Sequence, residues 1–241
     1  MWRCFMKVTL TRVTENPILA IEEAASNCYD SEPTTDGRIM KSCYKSGHHS
    51  VLEFADFTFH IEGVSRALLA QLTRHRVASF AVRSQRYCSE DNFGFVTPDT
   101  IKDNAAAMVE YKNAIYKIKE VYEYLQELGI PNEDARFVLP NACETILEVK
   151  MNGRELIHFM NERLCTRAQW EIRELALAMK KCVKEHSKEC EVFAQFFVPK
   201  CCANVPFNFC TEHKSCGIAP KLKDVYQAYI NSIKEDGDSN G

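Results

Sequence analysis

The sequence predicts an α+β fold: a small, curved, mostly antiparallel sheet packed with several helices, one of them long and amphipathic. Three observations carry that expectation. Residues 54–61, Phe-Ala-Asp-Phe-Thr-Phe-His-Ile, are dense in aromatic and β-branched side chains, the mark of a strand. Residues 5–13 alternate in character with a period of two, a second strand. Residues 100–128 repeat apolar side chains at helical spacing, opened by Thr97-Pro98-Asp99 and closed by Gly129 and Pro131.

The other elements follow in order. Asn16-Pro17 supplies a cap and a first-turn proline for a helix through Ile18, Leu19, Ile21 and Ala25. A loop over 30–37, with Pro33, leads to a short helical stretch ending near Gly47. Gly63 ends the aromatic strand, and residues 64–75 return to helical spacing at Val64, Ala67, Leu68 and Leu72. Leu139-Pro140 breaks a short helix, and two more helices span 153–163 and 166–188 with an interruption near Cys165. Pro199, Pro206 and Pro220, set among cysteines, make residues 199–220 an irregular tail. A C-terminal extension, 221–241, ends in polar, frayed residues from Glu235 on. No repeat or linker divides residues 1–220, which read as one domain.

Composition narrows the function classes. The 241 residues are 46% hydrophobic and 26% charged, enough for a full core and ordinary for a globular chain. A net charge of −3 and a pI of about 6.2 argue against a nucleic-acid coat, so any polyanion site is a local exception. No apolar run is long enough to span a bilayer, and Met-Trp-Arg-Cys-Phe-Met-Lys-Val lacks the apolar stretch of a signal peptide. A cytoplasmic protein without membrane or nucleic-acid partners is expected. The twelve cysteines then read as reduced thiols, most of them buried, and none forms a C-x-x-C pair.

Three segments concentrate chemistry. Between Arg74 and Arg86 stand four arginines, His75, two serines and no acid, a steep positive field in an acidic protein. Guanidinium forks suit phosphate oxygens, and the hydroxyl of Ser84 adds a donor. Gln71, Arg74 and His75, at i, i+3 and i+4, can share one helical face. A salt-bridged surface helix is the alternative, but no nearby carboxylate in the segment pairs these arginines. A nucleotide or cofactor phosphate suits the patch better than a long nucleic acid. The second segment, Gly47-His48-His49-Ser50-Val51-Leu52-Glu53, offers a His pair with no third metal ligand beside it. The third runs from Ala135-Arg136 through Asn152-Gly153-Arg154 and His158 to Arg163, with Arg154 and His158 at i and i+4.

Together these segments resemble the flavin-dependent thymidylate synthase family. Its signature, Arg-His-Arg, seven residues, then Ser, stands here as Arg74-His75-Arg76 … Ser84. In matching order come His48-x-Ser50-x-x-Glu53, Ala135-Arg136-x-x-Leu139-Pro140, Asn152-x-Arg154, and Arg163 followed by Ala-Gln-Trp-Glu-Ile. The match covers about residues 3–185. It implies a homotetrameric α+β enzyme with active sites at subunit interfaces and FAD bound noncovalently. Such enzymes methylate dUMP to dTMP with methylenetetrahydrofolate as carbon donor and NADPH as reductant. Carried over by position, the resemblance implies that Gln71, Arg74, Ser84, Gln85 and Arg86 hold dUMP, with Arg136 reaching its phosphate from another subunit. Arg163 is implied beside the pyrimidine, where a guanidinium that never deprotonates stabilises the charge of ionised N3. Ser50, Arg74, His75, Arg76, Asn152, Gly153, Arg154 and His158 are implied as FAD contacts, with His48 organising the flavin pocket. No metal is implied.

Three positions depart from the family pattern. Ala81-Val82 replaces the Asn-Glu of many members, and His158 stands where some carry Asn. Cys88 and Cys165, the thiols nearest the matched blocks, read as packing residues. Cys201-Cys202, Cys210, His213 and Cys216 could make a Cys3His zinc set, though their spacing fits no short knuckle; reduced thiols are the default. Two other functions stay open: a flavin- or nucleotide-binding relative with altered or lost activity, and a nucleic-acid-binding protein using the Arg74–Arg86 patch.

Overall fold

The structure is a computed structural model that describes residues 6–203 and 207–238. In chain order its main elements begin with β1 (Lys7–Val13), α1 (Pro17–Tyr29), α2 (Arg38–Lys45), β2 (Asp56–Ser65), α3 (Arg66–Leu72) and β3 (Ser79–Val82). Next come α4 (Asp99–Lys102), α5 (Ala105–Glu127), α6 (Asn132–Ala135), β4 (Glu144–Asn152) and α7 (Gly153–Arg163). The chain ends with α8 (Trp170–His186), α9 (Lys188–Phe193) and α10 (Leu222–Asp238). The chain divides into two compact units, Met1–Arg12 with Phe57–Met151 and Val13–Asp56 with Asn152–Gly241. Among the described residues no helix is long and apolar enough to cross a membrane.

The first unit carries an open, antiparallel four-stranded sheet in the order β1-β2-β4-β3. Its buried face is built by alternation: Phe57, Phe59 and Ile61 on β2, and Thr145, Leu147, Val149 and Met151 on β4. On the other face His60 bonds Glu148 and Glu62, and Lys7 approaches Glu62 at 3.7 Å. β3 pairs with β4 from Ser79↔Lys150 to Val82↔Leu147. A second cluster of Phe93, Ile115 and Cys143 packs with Tyr111 and Ile118 of α5.

Several sequence expectations need correction here. The aromatic strand starts at Asp56, because residues 49–54 close into a 3₁₀ turn. Gly63 does not end it. At φ 70° the glycine takes a conformation other residues resist, absorbs the local distortion, and pairing continues to Ser65. The following helix is therefore only Arg66–Leu72, opened by the Ser65 hydroxyl, which accepts the Leu68 N–H at 3.0 Å. β3 and β4 were not foreseen. β4 alternates inward Thr145, Leu147, Val149 and Met151 with outward Glu144, Ile146, Glu148 and Lys150, a period of two whose outer face is mostly charged. The long helix is two: α4 stops, and α5 restarts where the Asn104 carboxamide accepts the Ala107 N–H.

The second unit is helical, with α1, α2, α7, α8 and α9 around Ile18, Ile21, Met40, Leu52, Phe159, Leu175, Met179 and Phe193. Asn16 does not cap α1 with its side chain; it sits at φ 49° and the helix relies on Pro17 at its start. Glu22 of α1 is fully buried and instead organises the 30–37 loop. Its carboxylate accepts the Thr34 hydroxyl and backbone N–H and the N–H groups of Ile39 and Met40, capping α2 from a distance. The break after α7 is longer than the residues near Cys165, since α8 begins at Trp170 under the Gln169 side chain. In the extension α10 runs from Leu222 to Asp238, and residues 239–241 of the end expected to fray lie outside the described residues.

Candidate active site

Within the first unit, the arginine-rich segment does not ride one helical face as its spacing suggested. α3 stops at Leu72, and tighter turns follow, with the Arg74 N–H donating to the Gln71 carbonyl at 3.3 Å and the His75 N–H to Leu72 at 3.1 Å. The chain direction changes there. His75 is buried while Arg74 and Arg76 stand exposed, and Gln71 is half-buried with its amide on the Ala67 carbonyl at 3.5 Å. Among the described residues neither the Arg74 nor the Arg76 side chain has an ion-pair or hydrogen-bond partner.

The other arginines of the patch are paired, which corrects the expectation of an acid-free cluster. Arg83 meets Glu90 at 3.3 Å, and Arg86 meets Glu133 at 2.8 Å. The acids come from outside the segment, so its local sequence could not reveal them. Glu133 also joins Arg136 to the group: its carbonyl accepts Nε of Arg136 at 3.0 Å while its carboxylate holds Arg86. Ser84 Oγ accepts the Arg86 N–H, fixing the turn that presents both. Gln85 reaches the Cys143 sulfur at 3.7 Å.

Arg66 is a member that sequence reasoning missed. Its Nη2 donates to the Arg83 carbonyl at 2.9 Å, and its buried Nε has no partner among the described residues. Burial pulls its pKa down, and the neighbouring guanidinium groups of Arg136 and Arg83 act in the same direction. Arg66 is only half-buried, and Cys143 and Glu90 act on it in the opposite direction. The signal available in sequence was its position at the start of α3, five residues before Gln71. Cys143 is no nucleophile: burial first, then Glu90, pushes its thiol up to about 12.

In the second unit α7 organises the site. Asn152 caps it, its side chain accepting the Glu155 N–H at 2.9 Å. Gly153 lets the helix start pack directly on the 49–54 turn, donating its N–H to the Ala55 carbonyl at 2.7 Å. A Cβ there would lie 2.6 Å from the Leu52 carbonyl oxygen and 2.8 Å from the Phe193 ring. Arg154 then bonds Glu53 of that turn at 2.7 Å, and His158 stands exposed one turn on. His48 and Ser50 are exposed at the turn's start, and His48 borders a cavity of about 510 Å³ with Arg38, Ser42 and Thr34. Arg163, in the last turn of α7, lines a different cavity of about 400 Å³. Asn161 shares that cavity, and its buried Oδ1 has no partner among the described residues.

The fold thus gathers Arg66, Arg83, Arg86 and Arg136 in one unit, and His48, Ser50, Asn152, Gly153, Arg154, His158 and Arg163 around α7 and its 3₁₀ turn in the other. A family model described as "Thymidylate synthase complementing protein" matches residues 9–187. Several curated relatives carry the name flavin-dependent thymidylate synthase, two of them as follows. That of Geobacter sulfurreducens is 44% identical over 191 residues, covering 74% of this chain and 82% of the relative. That of Clostridium tetani is 38% identical over 248 aligned positions, covering 92% and 97%. The crystal structure of Thymidylate Synthase X from Helicobacter pylori, with FAD and dUMP, superposes with a TM-score of 0.64 at 26% identity, covering 80% of this chain and 99% of that one.

Proposed function

Because the chain belongs to the thymidylate synthase complementing protein family, we propose that it is a flavin-dependent thymidylate synthase, methylating dUMP reductively to dTMP. Methylenetetrahydrofolate is the carbon donor and NADPH the reductant. The observation that carries this reading is the family match over residues 9–187, which contains the whole Arg74-His75-Arg76 … Ser84 signature.

The donor set fits both ligands. Arg66, Arg83 and Arg86 carry a surplus of positive charge over Glu133 and Glu90, which suits the dianionic phosphate of a mononucleotide, and Arg136 reaches that phosphate from another subunit. Gln71, Arg74, Ser84 and Gln85 complete the dUMP set. The exposed guanidinium groups of Arg74 and Arg76 have donors to spare for a cofactor pyrophosphate. Ser50, His75, Asn152, Gly153, Arg154 and His158 are the further FAD contacts, and His48 organises the flavin pocket. Bound and reduced, FAD supplies the hydride that completes the methyl group.

The chain's own part is binding and charge. A guanidinium is a fixed cation, so Arg163 serves as a standing positive charge against the anion formed when the uracil N3 ionises. No proton shuttle is required of it. The assembly is a homotetramer with active sites at subunit interfaces, in the cytoplasm. The nucleic-acid reading loses support because Arg83 and Arg86 already have carboxylates, which thins the charge that a polyanion would need.

Turnover tests the proposal. Purified chain should be yellow and form dTMP from dUMP, methylenetetrahydrofolate and NADPH. Flavin binding without dTMP would favour the altered relative suggested by Ala81-Val82. Steeply salt-sensitive binding to long DNA or RNA, without flavin, would favour the nucleic-acid reading.

A further inference from the structure

Two short pieces of chain present the arginines of the first unit, and neither has a regular element to hold it. Residues 83–92, which carry Ser84 and Arg86, take up neither strand nor helix. Their backbone meets the sheet where the Arg83 N–H donates to the Ile146 carbonyl at 2.9 Å, and then closes on itself as the Cys88 N–H donates to the Ser84 carbonyl at 3.1 Å. The second piece, α6, is a single turn whose Glu133 holds Arg86 through its carboxylate and Arg136 through its carbonyl. Side chains must therefore fix how far apart the two pieces sit.

The end of α5 does this. Its 23 residues make it the longest helix among the described residues, and Tyr122 and Gln126 lie one turn apart on one of its faces. The buried Tyr122 hydroxyl accepts the Glu90 N–H at 3.2 Å. Gln126 reaches both pieces: its Nε2 donates to Ser89 Oγ at 2.9 Å and to Asn132 Oδ1 at 2.8 Å. A carboxamide nitrogen has two hydrogens, so these two bonds use both, and the Tyr122 hydroxyl at 3.5 Å is a weaker third neighbour. Ser89 belongs to the arginine-bearing turn, and its carbonyl accepts Nη2 of Arg83 at 3.3 Å. Asn132 immediately precedes Glu133. One half-buried amide thus spans from the turn that carries Arg86 to the residue beside Arg86's carboxylate partner.

We propose that Gln126 is a positioning residue for the nucleotide phosphate: by tying Ser89 to Asn132 it sets the spacing across which Glu133 holds Arg86 toward dUMP. This inference rests on the thymidylate synthase reading above. Gln126 lies outside every motif block of the sequence, and it acts through Arg86 without needing to touch the nucleotide. The role has a kinetic signature. Arg163, the cation set against the uracil ring, stands on α7 in the other unit, so loss of Gln126 weakens capture of dUMP and spares the chemical step. A merely structural role would lower Tm and the amount of active enzyme, and leave KM where it was.

Gln126→Met in the full, flavin-loaded enzyme tests the assignment, because methionine keeps the length and helix preference of the side chain and has no N–H. The KM for dUMP should rise about fivefold, with kcat within about twofold of wild type and FAD content unchanged. Asn132→Ala should raise KM about twofold by itself and add nothing to Gln126→Met, since the two share one bond. An unchanged KM in Gln126→Met, a fall in kcat at constant KM, or a further rise in the double variant would each overturn the proposal. Should Gln126→Met fail to fold or to load flavin, Asn132→Ala, which leaves α5 intact, decides, and an unchanged KM there overturns it. Calorimetry with dUMP separates this failure from that of the enzyme reading. A chain that binds dUMP but makes no dTMP refutes the synthase, and the same rise is then read in Kd; a wild-type chain that binds no dUMP refutes both.

Discussion

In the first unit the arginines stand in turns. Arg74 and Arg76 follow α3, Arg83 and Arg86 follow β3, and Arg136 opens a 3₁₀ turn. In the second unit Arg154, His158 and Arg163 ride a single helix whose start is locked against a neighbouring turn. Of these, Arg83 and Arg86 are held by acids from elsewhere, Glu90 and Glu133, whereas Arg74 and Arg76 have no such partner among the described residues. The helix-borne groups take their mutual placement from the helix itself, and Glu53 adds only a tether. Rigidity therefore comes from backbone in one unit and from charge pairing in the other.

That contrast can be broken by substitution. The largest effect is expected at Arg163. Arg163→Ala should lower kcat about a hundredfold or more, with a much smaller change in dUMP affinity. Arg163→Lys should retain part of the rate, because a point charge replaces a fork; wild-type turnover in the lysine variant would defeat the assigned role. Gly153→Ala attacks the backbone lock: forcing a Cβ against Leu52 and Phe193 should cost about 1–3 kcal/mol in denaturant unfolding. An unchanged midpoint would mean that α7 can slide away freely.

Arg74→Ala should weaken FAD and dUMP binding together, each by roughly tenfold, read by flavin fluorescence and calorimetry. If neither changes, the exposed guanidinium is decorative. Glu133→Gln probes charge pairing alone. Both partners are half exposed, so the loss is about 0.2–1 kcal/mol, a few-fold rise in the dUMP Kd. Glu53→Gln should loosen the FAD contact proposed for Arg154 without that rise, and a dUMP effect there as large would erase the contrast between the units.

The smallest effect is on pH dependence. His60 donates to Glu148 at 2.6 Å and Glu62 at 2.9 Å when protonated, and those two bonds raise its pKa above 6.5. Its contribution to stability is full below 6.5 and fades as pH rises through the elevated folded value. The Tm difference between wild type and His60→Gln should shrink across that window. A difference that stays constant from acid to alkaline pH would remove the imidazolium from the account.

Legibility in sequence followed the range of the forces involved. The helices of residues 105–127 and 153–163 and the Gly129 terminator were readable because period and turn chemistry act within a few residues. β3, only four residues long, shows no period of its own and is defined by its pairing with β4, while β4 carries an alternation whose outer positions are mostly charged. The same holds at the site. Arg154 and His158 were placed correctly one helical turn apart, whereas Gln71, Arg74 and His75 separated once α3 ended early.

Residue chemistry and local spacing alone specified an α+β chain with an Arg-His-Arg signature, a helix presenting Arg154 and His158, and a tail rich in thiols. Only the folded chain decided which arginines are spoken for, that Arg66 joins Arg136, and that Cys165 and not His213 faces the tail cysteines. The reason is physical: backbone propensity is a property of neighbours in sequence, while ion pairing and cavity lining belong to neighbours in space.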